Sequence, residues 1–181
     1  MASKPTVFQA RLLRPATPHR ATWSFLLVPP DASAQLPARG LVSVDGTLNG
    51  HPFQATLEPD GQGSHWLKVP RSLREAAGAT VGDTVTVDIA PVEQEPEPSV
   101  PVDLRKALAG SHQARAPWQS LTPSARRDWI FWITSAKKPE TRARRIATTC
   151  EMLASGKRRA CCFDRSGMYS KGLSAPVAAD G

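Results

Sequence analysis

Residues 91–101, PVEQEPEPSVP, alternate proline with glutamate and offer almost nothing that a core could bury. Such a run stays extended and solvated, so it separates two packed regions. It also marks a change of pattern. Apolar residues upstream recur mostly with period two, and those downstream with the period of a helix. At 181 residues the chain has room for one domain of about 100 residues and a smaller companion. The reading is therefore α+β: a strand-rich domain over residues 5–91, a linker over 92–100, a small helical region over 101–160 and a disordered tail over 161–181.

Upstream, Phe8, Ala10 and Leu12 alternate in a first run, and Trp23, Phe25 and Leu27 in a second. Val42, Val44 and Leu48 precede the Asn49-Gly50 pair, and Phe53, Ala55 and Leu57 follow it. That dipeptide readily takes the positive φ angles of a type I′ turn, so the two runs form a hairpin. In HWLKVPRSLREAAGATVGDTVTVDIA, residues 65–90, a strand ends at Leu67 and Val69 and Pro70 opens a short helix. Leu73, Ala76 and Ala77 face inward from that helix, Gly78 supplies a left-handed cap, and Gly82-Asp83 turns into a strand carrying Val85, Val87 and Ile89.

This strand, VP, short helix, Gly-Asp, strand order resembles the double-split β-barrels of the AbrB, MazE and MraZ groups. The run Thr22–Ala90, with GTLNGHPF at 46–53 and VGDTVTVDI at 81–89, is similar to an uncharacterised bacterial barrel domain related to AbrB. The resemblance implies an N-terminal double-split β-barrel, a pseudo-barrel completed within one chain, whereas AbrB closes its barrel with two subunits.

Downstream, VDLRKALAG at 102–110 reads as a short helix with Leu104 and Leu108 on one side. Thr122 caps a second helix that begins at Pro123, and Ala125, Trp129, Trp132, Ile133 and Ala136 form its apolar stripe, with Phe131 pointing outward. A third starts near Pro139 and stops at Gly156, with Ile146, Cys150 and Leu153 inward. The short gap between these two forces a helical hairpin. Trp66, on the strand face opposite Leu67, and Trp118, in a proline-containing connection, are expected to cover the barrel or dock the helical region on it. The run WIFWITSAKKPETRARRIATTCEMLASGKR, 129–158, closely resembles the YdeI or OmpD-associated, bacteriocin-protection family. That resemblance implies a link to bacteriocin or antimicrobial-peptide protection and no particular chemistry.

Charge is distributed unevenly. Counting Lys and Arg against Asp and Glu gives +1 for residues 1–92, −3 for 93–100 and +9 for 101–181. The densest basic stretch is SAKKPETRARRI, 135–146. Lys137 and Lys138 end a helix, where cations complement its dipole, but Arg142, Arg144 and Arg145 begin one, against the dipole. With Arg126, Arg127, Lys157 and Arg158 nearby in sequence they form a candidate surface for a polyanion, a nucleic acid or a protein partner. No RRM signature or zinc-finger spacing reads bases, so binding of nucleic acid is expected to be sequence-tolerant. A second candidate follows from the barrel resemblance, since AbrB-like barrels bind DNA near the hairpin. Lys68, Arg71 and Arg74 occupy comparable positions, and the alternative function is a DNA-binding regulator.

The chain carries no GxSxG or Walker-type GxxxxGK[ST] motif and no carboxylate pair in an apolar setting, which argues against an enzyme. Its four histidines are isolated, so neither a metal nor another cofactor is expected. Cys150, Cys161 and Cys162 fit no disulfide framework and read as reduced thiols, the adjacent pair lying in the tail. No apolar run reaches the ~18 residues of a membrane span, and the N-terminus lacks the apolar core of a signal peptide. The expected address is the cytoplasm, without membrane insertion. The sequence is compatible with a monomer and leaves the partner and the oligomeric state open.

Overall fold

The computed structural model describes residues 4–160 and 173–180. They form two compact units, one of residues 4–93 with 173–180, the other of residues 94–160.

The first unit contains β1 (Thr6–Arg11), β2 (Ser24–Leu27), α1 (Pro30–Ser33), β3 (Val42–Leu48), β4 (His51–Pro59), β5 (His65–Val69), α2 (Arg71–Ala76) and β6 (Thr84–Pro91). All strand pairs are antiparallel, in the order β1-β6-β3-β4-β5-β2. The two ends of that order meet where Leu13 and Phe25 exchange backbone hydrogen bonds, so the sheet curls into a nearly closed barrel. Leu12, Leu26, Val44, Leu57, Leu67 and Val87 are among the residues that fill its interior. This is the α+β barrel-then-helices architecture expected above.

The β3–β4 hairpin turns at Asn49 and Gly50, with φ of 49° and 82°. Positive values at both central residues are those of the type I′ turn, whose twist matches that of the strands. The helix α2 ends in a Schellman motif: Gly78, at φ 68°, donates to the Glu75 carbonyl and Ala79 to that of Arg74. Gly46 in β3 sits where strands approach closely, for a Cβ there would overlap the Asp88 carbonyl of β6.

In β2 the inward face differs from the expectation. Leu26 and Val28 enter the barrel core while Leu27 is 45% exposed. Phe25 is buried on the other face, with its ring 6.1 Å from Trp66 and 6.4 Å from Trp23. Aromatic packing outside the barrel, rather than in it, produced the apparent alternation of Trp23, Phe25 and Leu27.

Of the stretch expected to be a disordered tail, residues 161–172 lie outside the described residues, and with them Cys161 and Cys162. Residues 173–180 instead return to the first unit: Ala175 donates to Asp60, Ala16 donates to Val177, and Ala179 donates to Arg14. Backbone pairing, which needs no apolar sequence, holds them there.

The second unit holds α3 (Val102–Gly110), α4 (His112–Ser120), α5 (Pro123–Thr134) and α6 (Pro139–Ala154). The Thr122 hydroxyl accepts from the Ala125 N–H and caps α5, and Gly156, at φ 94°, closes α6 with a second Schellman pattern. Trp129 is fully buried and Trp132 nearly so, their rings 6.1 Å apart and edge to face. Phe131 is half-buried. Where a connection was expected around Trp118 there is a helix, α4. Ser111 caps it, and Ala114 and Trp118, one turn apart, are buried despite the backbone donor missing at Pro117.

Candidate functional site

The basic residues of the helical unit divide into two sets. In the first, the positive charge is met internally. Arg142 donates to both carboxylate oxygens of Asp103 in α3, at 2.6 and 3.1 Å. The hydrogen bond lowers the Asp103 pKa and raises that of Arg142. Arg145 donates to the Trp132 carbonyl at 2.6 Å and the Ser135 hydroxyl at 3.2 Å, and lies over the Trp132 ring. Those oxygens belong to the C-terminal turn of α5. An arginine that opposes the dipole of its own helix therefore complements that of the preceding one.

Arg126 pairs with Glu97 and donates to the carbonyls of Trp118 and Gln119. Arg127 pairs with Glu95 at 2.9 Å and with Asp128 at 3.0 Å. The glutamates of the linker are thus the counter-charges of α5, which their proline-rich setting did not reveal. Arg158 donates to the Ser120 carbonyl at 2.9 Å, and Arg159 reaches Asp128 at 3.3 Å.

The second set is Lys137, Lys138, Arg144 and Lys157, all exposed. Their side chains make no hydrogen bond or ion pair among the described residues. Lys137 and Lys138 occupy the α5–α6 junction, Arg144 the second turn of α6, and Lys157 follows its C-terminus. Residues 94–160 hold thirteen Lys and Arg against six Asp and Glu, a net +7.

The alternative trio lies on the barrel unit. Lys68 projects from β5 with its ammonium 4.7 Å from the Trp23 ring centroid. Arg71 pairs with Glu75 one turn along α2, with 64% of its side chain exposed. Arg74 donates to the Ser24 hydroxyl at 3.2 Å and the Thr22 carbonyl at 3.4 Å.

A groove of about 660 Å³ opens beside Lys68, between β4 and α2. Phe53, Ala55 and Leu73 lie on its core side, Thr56, Glu58 and Lys68 on its outer side. Burial pushes the Glu58 pKa up to about 7, partly offset by the Lys68 charge. Sequence reading missed this groove, because it arises where one strand leaves its neighbour, and no residue pattern marks that.

A buried pair stands elsewhere in the barrel unit. The Ser33 hydroxyl lies 2.6 Å from His65 Nδ1, and His65 Nε2 lies 2.9 Å from the Gly40 carbonyl. With Nε2 donating to that carbonyl, Nδ1 accepts from Ser33. The site satisfies both groups, and burial lowers the His65 pKa. Among the described residues no His, Cys, Asp and Glu cluster is arranged to hold a metal ion, and no helix is long and apolar enough to cross a membrane.

Two family models match the chain. Residues 8–89 match a domain of unknown function, DUF1905, and residues 97–156 match the family described as bacteriocin-protection, YdeI or OmpD-associated. No curated protein matches it.

Proposed function

We propose that this chain, whose residues 8–89 match DUF1905 and 97–156 the YdeI or OmpD-associated family, is a cytoplasmic, non-catalytic binding protein serving a protective response of the kind named in the family description. It engages a polyanion, or the acidic face of a partner protein, through the helical unit. The observation that supports this reading is the second set of cations. Lys137, Lys138, Arg144 and Lys157 stay exposed and unmet among the described residues, whereas the arginines beside them are held by Asp103, Glu95, Glu97 and backbone carbonyls. Flexible exposed cations attract a phosphate backbone or carboxylate surface without geometric specificity.

The test is fluorescence anisotropy of labelled duplex DNA, single-stranded DNA and RNA against the full chain across a salt series, with heparin as competitor. Salt-sensitive binding that disappears in the Lys137→Glu/Lys138→Glu/Arg144→Glu variant supports the reading. Binding that survives in that variant but disappears on reversing Lys68, Arg71 and Arg74 transfers the activity to the barrel. No binding of any polyanion at low salt leaves only an acidic protein partner, to be sought by cross-linking through Lys137 and Lys138.

A further inference from the structure

The wall of the barrel is open along one seam. Residues flanking a two-residue hairpin turn exchange both backbone hydrogen bonds, and every second pair along the ladder repeats this. In the β3–β4 register those pairs are Leu48↔His51, Gly46↔Phe53, Val44↔Ala55 and Val42↔Leu57. The alternate residues Pro52, Gln54, Thr56 and Glu58 therefore turn their backbone groups to the opposite edge. There Glu58 meets Trp66 of β5. The N–H and C=O of Gln54 and Thr56, and the C=O of Pro52, meet no backbone partner among the described residues. The strand that would have continued the ladder ends at Val69, and Pro70 leads the chain away into α2.

The groove of about 660 Å³ follows this edge. Its donors and acceptors alternate along one strand, which is the complement of another extended backbone. A strand laid there would direct alternate side chains toward half-buried Phe53, Ala55 and Leu73, and the others outward past Thr56 to Glu58. The Glu58 carboxyl makes no hydrogen bond or ion pair among the described residues. The ammonium of neighbouring Lys68 is drawn over the Trp23 ring. A cation on the incoming strand would complement that carboxylate.

We infer that the seam between β4 and α2 is a docking site for an extended basic peptide segment of a partner. The segment adds as a strand to β4, with small apolar side chains inward and a Lys or Arg against Glu58. The open edge from Pro52 to Thr56, about 14 Å at the rise of a strand, accommodates about four or five residues, and one residue more brings a side chain to Glu58. This site is separate from the cations of the helical unit, and either can fail without the other.

The test uses the full chain and fluorescein-labelled peptides of sequence Val-Thr-Val-Lys-Val-Thr. Controls are the same peptide with Glu for Lys, and two versions N-methylated on one or the other set of alternate residues. The Lys peptide is expected to bind at least about tenfold tighter than the Glu peptide. One N-methylated version should lose binding, since only one set of N–H groups faces β4. Glu58→Gln should bring the Lys and Glu peptides within about twofold of each other. Amide resonances of Gln54 and Thr56 should shift and become protected from exchange on titration. The proposal is overturned by the absence of saturable binding, by charge discrimination that persists in Glu58→Gln, or by shifts that map elsewhere. It is equally overturned if sedimentation shows a dimer in which a second copy of β4 already protects Gln54 and Thr56.

Discussion

Arg145 and Arg142 stand one turn apart on α6 and do different work. Arg145 donates to two oxygens at the end of α5 and lies against a buried tryptophan. Arg142 meets Asp103 with side chains 35% and 45% exposed. A hydrogen bond from a charged group to partly buried acceptors is worth about 1.5–3 kcal/mol, an exposed ion pair about 0.2–1 kcal/mol. Arg145→Ala is therefore expected to lower the unfolding free energy of the helical unit in urea denaturation by about 2 kcal/mol, while Arg142→Ala lowers it by less than about 1 kcal/mol. Equal losses would mean that the packing of α3 on α6 depends on the Asp103 contact. Glu58 gives a pH-dependent counterpart. Its pKa is raised from 4.5 to about 7 by burial, so the folded state holds a proton that the unfolded state has released. The resulting stabilisation is complete below pH ~4.5 and disappears as pH rises through about 7. Glu58→Gln should be close to neutral at pH 5 and stabilising by about 1–2 kcal/mol at pH 8, a figure reduced from the full shift because the side chain is only partly buried. Thermal melts of both proteins at the two pH values check this.

At the scale of elements, local chemistry decided what was legible. The hairpin was marked by Asn49-Gly50, the start of α5 by Thr122-Pro123 and the end of α6 by Gly156, because each dipeptide or cap acts on its own few residues. The face of β2 was misread because Trp23, Phe25 and Leu27 alternate as a core face would, although the first two pack on Trp66 outside the barrel. The helix α4 was hidden by Pro117. The roles of the basic residues were beyond reach, since the partner of Arg142 lies 39 residues away and that of Arg126, Glu97, 29. Gly46 shows the same limit. Nothing in GTLNG distinguishes it from a turn glycine, yet it stands in mid-strand with the Asp88 carbonyl where a Cβ would be. Gly46→Ala must push β6 away from β3, and a loss of about 2–3 kcal/mol in chemical denaturation is expected, in the range of overpacked cores. A neutral outcome would show that the ladder yields there without strain.

For the whole molecule, net charge overstates what is available to a partner. Five of the nine cations first assigned to the basic surface are engaged by carboxylates or carbonyls of their own unit. If the remaining four, Lys137, Lys138, Arg144 and Lys157, are the ones that displace counterions, a plot of log affinity for duplex DNA against log salt should have a slope of about −3.5. A slope twice as steep would require Arg142, Arg145 and their neighbours to leave their partners on binding. The open edge of β4 bears on a different property, colloidal behaviour. An unpaired strand edge invites copy after copy to pair along it, the route to insoluble sheet aggregates. Here the edge is interrupted at Pro52, which has no N–H to offer, and ends at Glu58, where β5 takes over. Between them only Gln54 and Thr56 present both a donor and an acceptor. That is enough for one short guest and too little to template growth, so Pro52 works as a gatekeeper, and Pro52→Thr should raise light scattering on prolonged incubation while leaving the fold intact.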